Sequence, residues 1–342
     1  MKKTVNLKRL LKLIICNLSY SSGLLHFYLK YCLSRQTHHP CVIINYHGFY
    51  HNLDHVLETE GTISHRIEDF KEEMKFLKRY FQIISLDEVV DHLKRGEKFN
   101  KPTVAITIDD GFKNNFDLLF PVLKNENIPA TIFLTTGLIG TQKKIWVNHL
   151  ADLILKTNRK EIYVNGSLQE ERFPLDSLRN KRRTYLSILG QIKDMPIHDR
   201  DLCLKQIERQ LGVKESEQRQ MLNWEEVRLM QKYRISFGAH TCTHPILTNM
   251  PLKEAQREIT ESKQIIEYQL GEKVKHFAYP NGRPQDFNEE LRQFCKDIGF
   301  ESISTCDFGH NAESKDVYTL KRIGPPLPLS VFAFNLIRAF YK

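Results

Sequence analysis

The 342-residue sequence lacks several patterns that would assign it to a well-known class. It has seven cysteines but no Cys-x-x-Cys pair, so neither a zinc ribbon nor a disulfide framework is indicated, and a reducing compartment is favoured. We find no internal repeat and no low-complexity tract. The net charge of +9 is scattered, without a basic stripe interleaved with aromatic residues, so no nucleic-acid partner is expected.

A long, strongly apolar run is also missing. Residues 13–29 carry no charge, but polar residues interrupt them, and a spanning helix needs roughly 20 mostly apolar residues. Residues 1–36 begin with basic residues and lack a small-x-small cleavage site. Two interpretations stay open: a helix that packs on the domain or lies at a membrane surface, and a segment that crosses the membrane. We expect a peripheral or anchored position at the inner membrane, with the cytoplasmic face favoured over the periplasm.

What the sequence does contain is an alternation of strand-like and helix-like segments. The strand-like runs are short and apolar or β-branched, as strands buried on both faces should be. They cover residues 42–46, 103–108, 130–134, 235–238, 274–278 and 301–305. Apolar residues at helical spacing lie between them, in residues 67–80, 113–127, 224–233, 253–270 and 288–298. This alternation predicts an α/β fold with a mainly parallel sheet, curled into an irregular (β/α) barrel.

One stretch breaks the alternation. Residues 141–221 are polar and mainly helical, apart from a possible small hairpin around residues 161–173. We interpret them as an insertion over the barrel mouth, with a separate small domain as the alternative. The predicted organisation is an N-terminal helical segment of residues 1–36, a main domain of residues 37–335 that contains this insertion, and a C-terminal tail of residues 336–342.

Two adjacent carboxylates end one of the predicted strands. Asp109 and Asp110 follow residues 103–108 and precede Gly111. Carboxylates at the exit of a buried strand are costly unless a cation or hydrogen bonds offset their charge. Because neighbouring strand residues point in opposite directions, the two side chains can take different roles near one metal ion if the strand end bends. The alternative is a helix N-cap, since Asp-Asp-Gly is also common in turns.

A second motif supplies further metal-ligand chemistry. His240 and His244 stand four residues apart directly after another predicted strand, with Pro245 closing the turn. This spacing brings both imidazoles to one side of a helical turn. Two histidines and one aspartate would form a divalent metal site that leaves a coordination position open, which is typical of catalytic rather than structural sites.

The motifs together resemble those of a known family. Residues 107–111 (TIDDG) and 240–245 (HTCTHP) are similar to the first two motifs of the polysaccharide deacetylases, the NodB-homology family or carbohydrate esterase family four. Residues 44–47 (INYH) resemble that family's opening strand and histidine, and residues 277–282 (FAYPNG) resemble its groove-lining segment. The pattern is most similar to the poly-N-acetylglucosamine deacetylase-like group.

The resemblance implies a metal-dependent N-deacetylase acting on an N-acetylated oligo- or polysaccharide. Asp110, His240 and His244 would hold a divalent metal, with zinc expected and cobalt, nickel, iron or manganese as alternatives. Asp109 would be the general base and His47 the general acid. Other family members place the acid in a late Leu-x-His motif, which this sequence lacks after Tyr318.

The resemblance also implies roles outside the metal ligands. Tyr279 and Pro280 would line the substrate groove, and a backbone amide near Tyr279 would help to hold the oxyanion. Arg322 could pair with Asp109 and orient it, or be an exposed surface arginine. Two other functions stay open. One is a non-catalytic carbohydrate-binding protein on the same fold, and the other is a deacetylase or amidase of a different small substrate.

Overall fold

The computed structural model describes residues 7–34, 39–51, 64–165, 170–213, 218–311 and 316–340. The helices are α1 (Leu7–Ser21), α2 (Leu24–Ser34), α3 (Ile67–Tyr80), α4 (Leu86–Arg95), α5 (Phe120–Glu126), α6 (Trp146–Lys156), α7 (Leu178–Ile192), α8 (Ile197–Leu211), α9 (Trp224–Gln231), α10 (Leu252–Leu270), α11 (Glu289–Asp297) and α12 (Leu329–Phe340). The strands are β1 (Cys41–Tyr46), β2 (Gly48–Tyr50), β3 (Ser64–Arg66), β4 (Gln82–Ile84), β5 (Thr103–Ile108), β6 (Ala130–Leu134), β7 (Glu161–Asn165), β8 (Glu170–Pro174), β9 (Ile235–Ala239), β10 (His276–Ala278), β11 (Ser302–Ser304) and β12 (Arg322–Ile323).

A parallel sheet in the order β11-β10-β9-β6-β5-β1-β12 forms the core, and β4 pairs with β5 beside it. A parallel bridge between Ser304 and Leu320 brings β11 to the chain that enters β12, so the sheet is a nearly closed barrel. Helices surround it, as the crossover connections of parallel strands require. The predicted irregular (β/α) barrel is confirmed.

The register of β1 on β5 determines where the first functional residues lie. The two strands pair from Cys41 opposite Thr103 to Tyr46 opposite Ile108, and every residue of both is buried. Burial on both faces explains why both runs are mostly apolar. Because the strands are parallel and in register at their last residues, the chain leaves both at the same edge of the barrel.

Several elements differ from the sequence prediction. The strands predicted at residues 274–278 and 301–305 are shorter, at His276–Ala278 and Ser302–Ser304. The predicted helix of residues 113–127 begins as a π-helical turn, Asn115–Leu119, before α5. The structure also contains elements that the sequence analysis did not predict, namely β2, β3, β4, α4, β12 and α12.

The chain between β6 and β9 is mainly helical. It contains α6, the antiparallel pair β7–β8, α7 and α8, and the residues that join the two strands of the predicted hairpin lie outside the described residues. Leu150, Ile188 and Ile207 of this region belong to the same hydrophobic cluster as the barrel strands. The boundaries of the insertion, and the choice between an insertion and a separate small domain, stay predictions.

The two ends of the described chain pack together. Lys12 Nζ donates to Asn335 Oδ1 at 3.0 Å, and Ser330 Oγ donates to Asn17 Oδ1 at 2.5 Å, so α1 lies against α12. The division predicted between residues 335 and 336 falls inside α12. Residues 1–6, 35–36 and 341–342 of the predicted terminal segments lie outside the described residues.

Candidate metal centre and active site

Asp110, His240 and His244 each bring a ligand atom to one point at the carboxyl ends of the strands, and these atoms lie within 4.8 Å of one another. The Nε2 atoms of His240 and His244 are 3.5 and 3.2 Å from Asp110 Oδ1. That oxygen is buried and has no hydrogen-bond partner. Because a buried acceptor without a partner is costly, the arrangement fits a cation at this point. One carboxylate and two imidazoles are also the donor set of open zinc sites.

A hydrogen bond behind the site orients His240. Its Nδ1 donates to the carbonyl oxygen of Ala278 at 2.7 Å, which leaves the Nε2 lone pair directed towards Asp110. Burial acts to lower the pKa of His240, but Asp109 and Asp110 outweigh it and raise that pKa. Burial likewise acts to raise the pKa of Asp110, but His244 and His240 hold it well below its usual range. The negative charge of Asp109 and Asp110 therefore favours a cation at this point.

The backbone of the two motifs that form the cluster is left-handed at three residues. Asp110, Thr241 and His244 have φ angles of 79°, 65° and 59°. Residues other than glycine rarely adopt such φ angles. These angles persist only where surrounding bonds enforce them. Here the Thr135 amide donates to Asp110 O at 3.2 Å, and the His244 amide donates to Thr241 Oγ1 at 3.1 Å. The bend at Asp110 is the one that lets adjacent carboxylates take different roles.

The loop after β6 supports both ligand motifs without supplying a ligand to the cluster. Besides the Thr135 bond, the Thr136 amide donates to Thr241 O at 3.1 Å and the Gly137 amide donates to Cys242 O at 2.9 Å. A Cβ atom on Gly137 would lie 2.8 Å from that Cys242 oxygen. Burial raises the pKa of Cys242 to about 11, and its sulfur is not among the ligand atoms of the cluster.

Asp109 is buried next to the cluster and is paired with Arg322. Arg322 Nη1 is 2.7 Å from Asp109 Oδ1, and Nη2 is 2.9 Å from Oδ2. Asn45 Nδ2 also donates to Oδ2 at 2.8 Å, while Asn45 Oδ1 accepts from Arg322 Nη1 at 2.9 Å. Arg322 is therefore not an exposed surface arginine. Its guanidinium is fully buried and pairs with Asp109. Burial acts to raise the pKa of Asp109, but Arg322 and the nearby histidines lower it, so the carboxylate is ionised.

Asn45 is a site residue to which the sequence analysis gave no role. The available signal was a single amide inside the otherwise apolar run of β1. Its function depends on Asp109, 64 positions away, and on Arg322, 277 positions away, so only the fold brings its partners to it.

His47 lies on the open side of Asp109. Its Nε2 is 3.8 Å from Asp109 Oδ2, and its side chain is 26% exposed. Asn115 Nδ2, from the π-helical turn, donates to the His47 carbonyl oxygen at 2.8 Å and holds that backbone in place. Burial lowers the pKa of His47 despite the neighbouring Asp110 and Asp109 carboxylates, so the imidazole is neutral at neutral pH.

Tyr279 does not line a groove with its side chain, and that prediction is wrong. The residue is fully buried, and its ring stacks on Phe287 with centroids 4.5 Å apart. Its amide donates to the Ser304 carbonyl oxygen at 3.3 Å, so this amide is not available as an oxyanion donor. Pro280 is also buried. The turn at this strand end directs the aromatic ring into the core, where it buries more apolar area than it would at the site.

The insertion reaches the loop that follows Tyr279. Lys193, at the end of α7, donates from Nζ to Asn281 Oδ1 at 2.8 Å. The Lys193 carbonyl oxygen accepts from Asn249 Nδ2 at 3.0 Å, in the short 3₁₀ turn that follows the His244 motif. Lys193 at the end of α7 therefore contacts two loops at the carboxyl ends of the barrel strands.

These features define a class of proteins, parallel (β/α) barrels that carry an open Asp-His-His site with a second carboxylate beside it. The family model described as polysaccharide deacetylase matches residues 96–170 and 190–303, more than half of the chain. The chain belongs to the polysaccharide deacetylase family, as the motifs predicted. His47 and Arg322 lie outside the matched residues.

Individual relatives agree with this family. The poly-β-1,6-N-acetyl-D-glucosamine N-deacetylase of Staphylococcus aureus (strain MSSA476) is 35% identical over 98 residues, 28% of this chain. The match spans about a third (32%) of that relative's length. Among solved structures, the Streptococcus pyogenes deacetylase PplD superposes with a TM-score of 0.58 at 18% identity, covering 89% of this chain and 99% of PplD. IcaB from Ammonifex degensii gives a TM-score of 0.54 at 16% identity, covering 86% and 97% of the two chains. Both structural matches support the fold.

Proposed function

We propose that this protein is a metal-dependent hydrolase that removes N-acetyl groups from the amino sugars of a cell-surface polysaccharide or its precursor. One observation carries the proposal. The Asp110, His240 and His244 cluster lies beside Asp109, a buried carboxylate that Arg322 keeps ionised. A site that only bound sugar would not need a proton acceptor next to an open metal position. The named activity of the staphylococcal relatives supports the same substrate class.

The metal would be held by Asp110 Oδ1 and the Nε2 atoms of His240 and His244. We propose zinc, with cobalt, nickel, iron and manganese as alternatives, because imidazole and carboxylate donors suit these ions. A divalent ion bound there acts as a Lewis acid and makes water a stronger nucleophile near neutral pH.

Asp109 and His47 would move the protons. Asp109 Oδ1 accepts a hydrogen bond from Arg322 alone among the described side chains and retains capacity to take a proton from the attacking water. His47 lies beside Asp109, with its Nε2 3.8 Å from Oδ2, and its neutral imidazole would take up one proton, in exchange with solvent for the one that Asp109 has accepted, before it acts as the acid. The resulting imidazolium would protonate the leaving nitrogen as the amide C–N bond breaks. The water oxygen ends in acetate, and the sugar keeps a free amine.

Acetate release tests the proposal directly. Purified protein with zinc is expected to release acetate from β-1,6-linked N-acetylglucosamine oligomers, to lose this activity in a chelator, and to regain it when zinc is restored. Cobalt, nickel, iron and manganese can replace zinc in parallel assays. Oligomer binding without acetate release under all five metals would favour a non-catalytic carbohydrate-binding protein. Release from small N-acetylated amides alone would favour the other alternative.

The role of His47 has its own test. His47→Asn is expected to lower kcat by roughly 10²-fold, the usual scale for a positioned proton donor, with little change in KM. His51→Asn is the matched control, because His51 is exposed and pairs with Glu68 rather than with the site. A His47→Asn enzyme with a parental kcat would assign the acid to another group.

We also propose that this reaction takes place beside a membrane, because the basic and apolar residues 1–36 precede the barrel. The cytoplasmic face stays a prediction. Fractionation of a tagged full-length chain, compared with one that begins near Thr37, would test it.

A further inference from the structure

Helices α1 and α2 expose an unusual number of large apolar side chains. On both helices these side chains recur at helical spacing, so each helix has an apolar exposed face. They are Leu10, Leu11, Ile14, Ile15 and Leu18 on α1, and Leu24, Phe27, Tyr28 and Tyr31 on α2. We call these nine residues the N-terminal apolar face. Exposed apolar residues that are grouped in this way, rather than scattered singly, mark an interaction surface.

The opposite sides of both helices belong to the folded body. Cys16, Leu25 and Leu29 are buried. His26 Nδ1 and the Tyr80 hydroxyl of α3 are joined by a hydrogen bond of 2.6 Å, and α1 is bonded to α12 through Lys12 and Asn17. These contacts attach the N-terminal apolar face to the barrel domain.

The charge of this region indicates what kind of partner covers the N-terminal apolar face. Residues 1–36 contain seven basic residues, and the first acidic residue of the chain is Asp54. The basic residues are Lys2, Lys3, Lys8, Arg9, Lys12, Lys30 and Arg35. A second copy of the chain docked through the same face would bring two such basic regions together, and like charges oppose that contact. An anionic lipid surface has the opposite charge and complements them.

We propose that α1 and α2 lie in the plane of an anionic lipid leaflet, with the N-terminal apolar face in the headgroup and upper acyl region. This inference rests on the proposed membrane location but not on the deacetylase activity. Among the described residues no single helix is long and apolar enough to cross a bilayer; the pair Leu10–Ser21 and Leu24–Tyr31 is so only when both helices are taken together, and it is bent by 79° at its break. A crossing arrangement would also have to remove Leu25 and Leu29 from the body, whereas an in-plane arrangement keeps every contact.

Vesicle binding of the full chain tests the proposal. We expect co-sedimentation with phosphatidylcholine vesicles that contain phosphatidylglycerol, weaker binding to phosphatidylcholine alone, and partial release by salt. The double variant Leu18→Glu/Phe27→Glu changes side chains that are 65% and 69% exposed, so the fold should tolerate it. Its partition coefficient should fall about tenfold or more, the ratio expected when one apolar side chain leaves the bilayer.

The matched control is Leu178→Glu/Tyr268→Glu. These residues are 68% and 86% exposed and lie on α7 and α10, and the pair adds the same charge away from the apolar face. Control protein should bind vesicles like the parent. Equal binding by both double variants would overturn the proposal. So would a lipid-free dimer that only Leu18→Glu/Phe27→Glu dissociates, because the occupant would then be a second copy.

Depth measurements separate the in-plane from the crossing arrangement. A Phe27→Trp variant should be quenched by lipids brominated near the headgroup end of the acyl chain and little by lipids brominated near its terminus. Strong quenching from the terminal position would contradict the in-plane arrangement. Acetate release from soluble oligomers should be the same in the parent and in all of these variants, so a failure of the deacetylase proposal is recognised independently of lipid binding.

Discussion

Asp109→Asn is expected to lower kcat for acetate release by roughly 10²–10⁴-fold while the protein retains its metal. The amide has nearly the shape of the carboxylate but cannot accept the proton of the attacking water. None of the metal ligands is changed, because the cluster uses Asp110. Initial rates on N-acetylglucosamine oligomers and the metal content of the same samples would be measured together.

Two controls accompany this variant. Asp117→Asn changes an exposed aspartate that pairs with Lys113, so it should keep parental turnover. Asp110→Asn removes a ligand and should lose metal and turnover together. If Asp109→Asn retained metal and stayed within tenfold of the parental kcat, the base would have to be another group.

Arg322→Met is expected to destabilise the protein by about 3–5 kcal/mol, because it leaves Asp109 as an uncompensated buried charge. Both ends of this ion pair are almost completely buried, so solvent does not screen it appreciably. The substitution also removes the donor to the Thr305 carbonyl oxygen, which Arg322 Nε contacts at 2.9 Å. Unfolding by denaturant in the zinc-loaded and chelated states would give the free-energy change and show how far bound metal compensates for it.

A double-mutant cycle isolates the pair itself. The variant Asp109→Asn/Arg322→Met removes both charges, so it should be less destabilised than the sum of the two single variants. Arg292→Met is a suitable control, since Arg292 also pairs with a carboxylate, that of Asp316, but at the partly exposed surface, where pairs contribute little. Simple additivity of the two single changes would show that Arg322 and Asp109 are not energetically coupled.

The barrel and the meeting of Asp110, His240 and His244 could be predicted from the sequence because both depend on local patterns. Apolar runs such as residues 103–108 become strands buried on both faces, and parallel strands deliver the residues that follow them to one edge. Asp110, His240 and His244 therefore meet although they come from motifs that are far apart. Short strands such as β12, with two residues, have no periodicity that could be recognised.

The remaining parts of the site depend on side-chain direction and on long-range partners. Tyr279 follows a strand end, where the alternation of faces no longer specifies direction, and its ring packs on Phe287 in the core. Asn45 acts through Asp109 and Arg322, which the chain brings to it from two other strands. For Arg322, an exposed and a buried position were equally compatible with the sequence. The position is buried because the pairing of β12 with β1 brings the Arg322 guanidinium to the carboxylate of Asp109.

The bonds made by residues 135–137 have a consequence for how this scaffold can change over evolutionary time. The peptide groups there hold the Asp110 turn and the Thr241–Cys242 turn at a set separation, and Gly137 is the residue whose missing methyl group permits the approach. A lineage could alter exposed side chains around the cluster without breaking these bonds. It could not readily replace this glycine, which has no chemistry of its own, without pushing the imidazoles apart from the carboxylate.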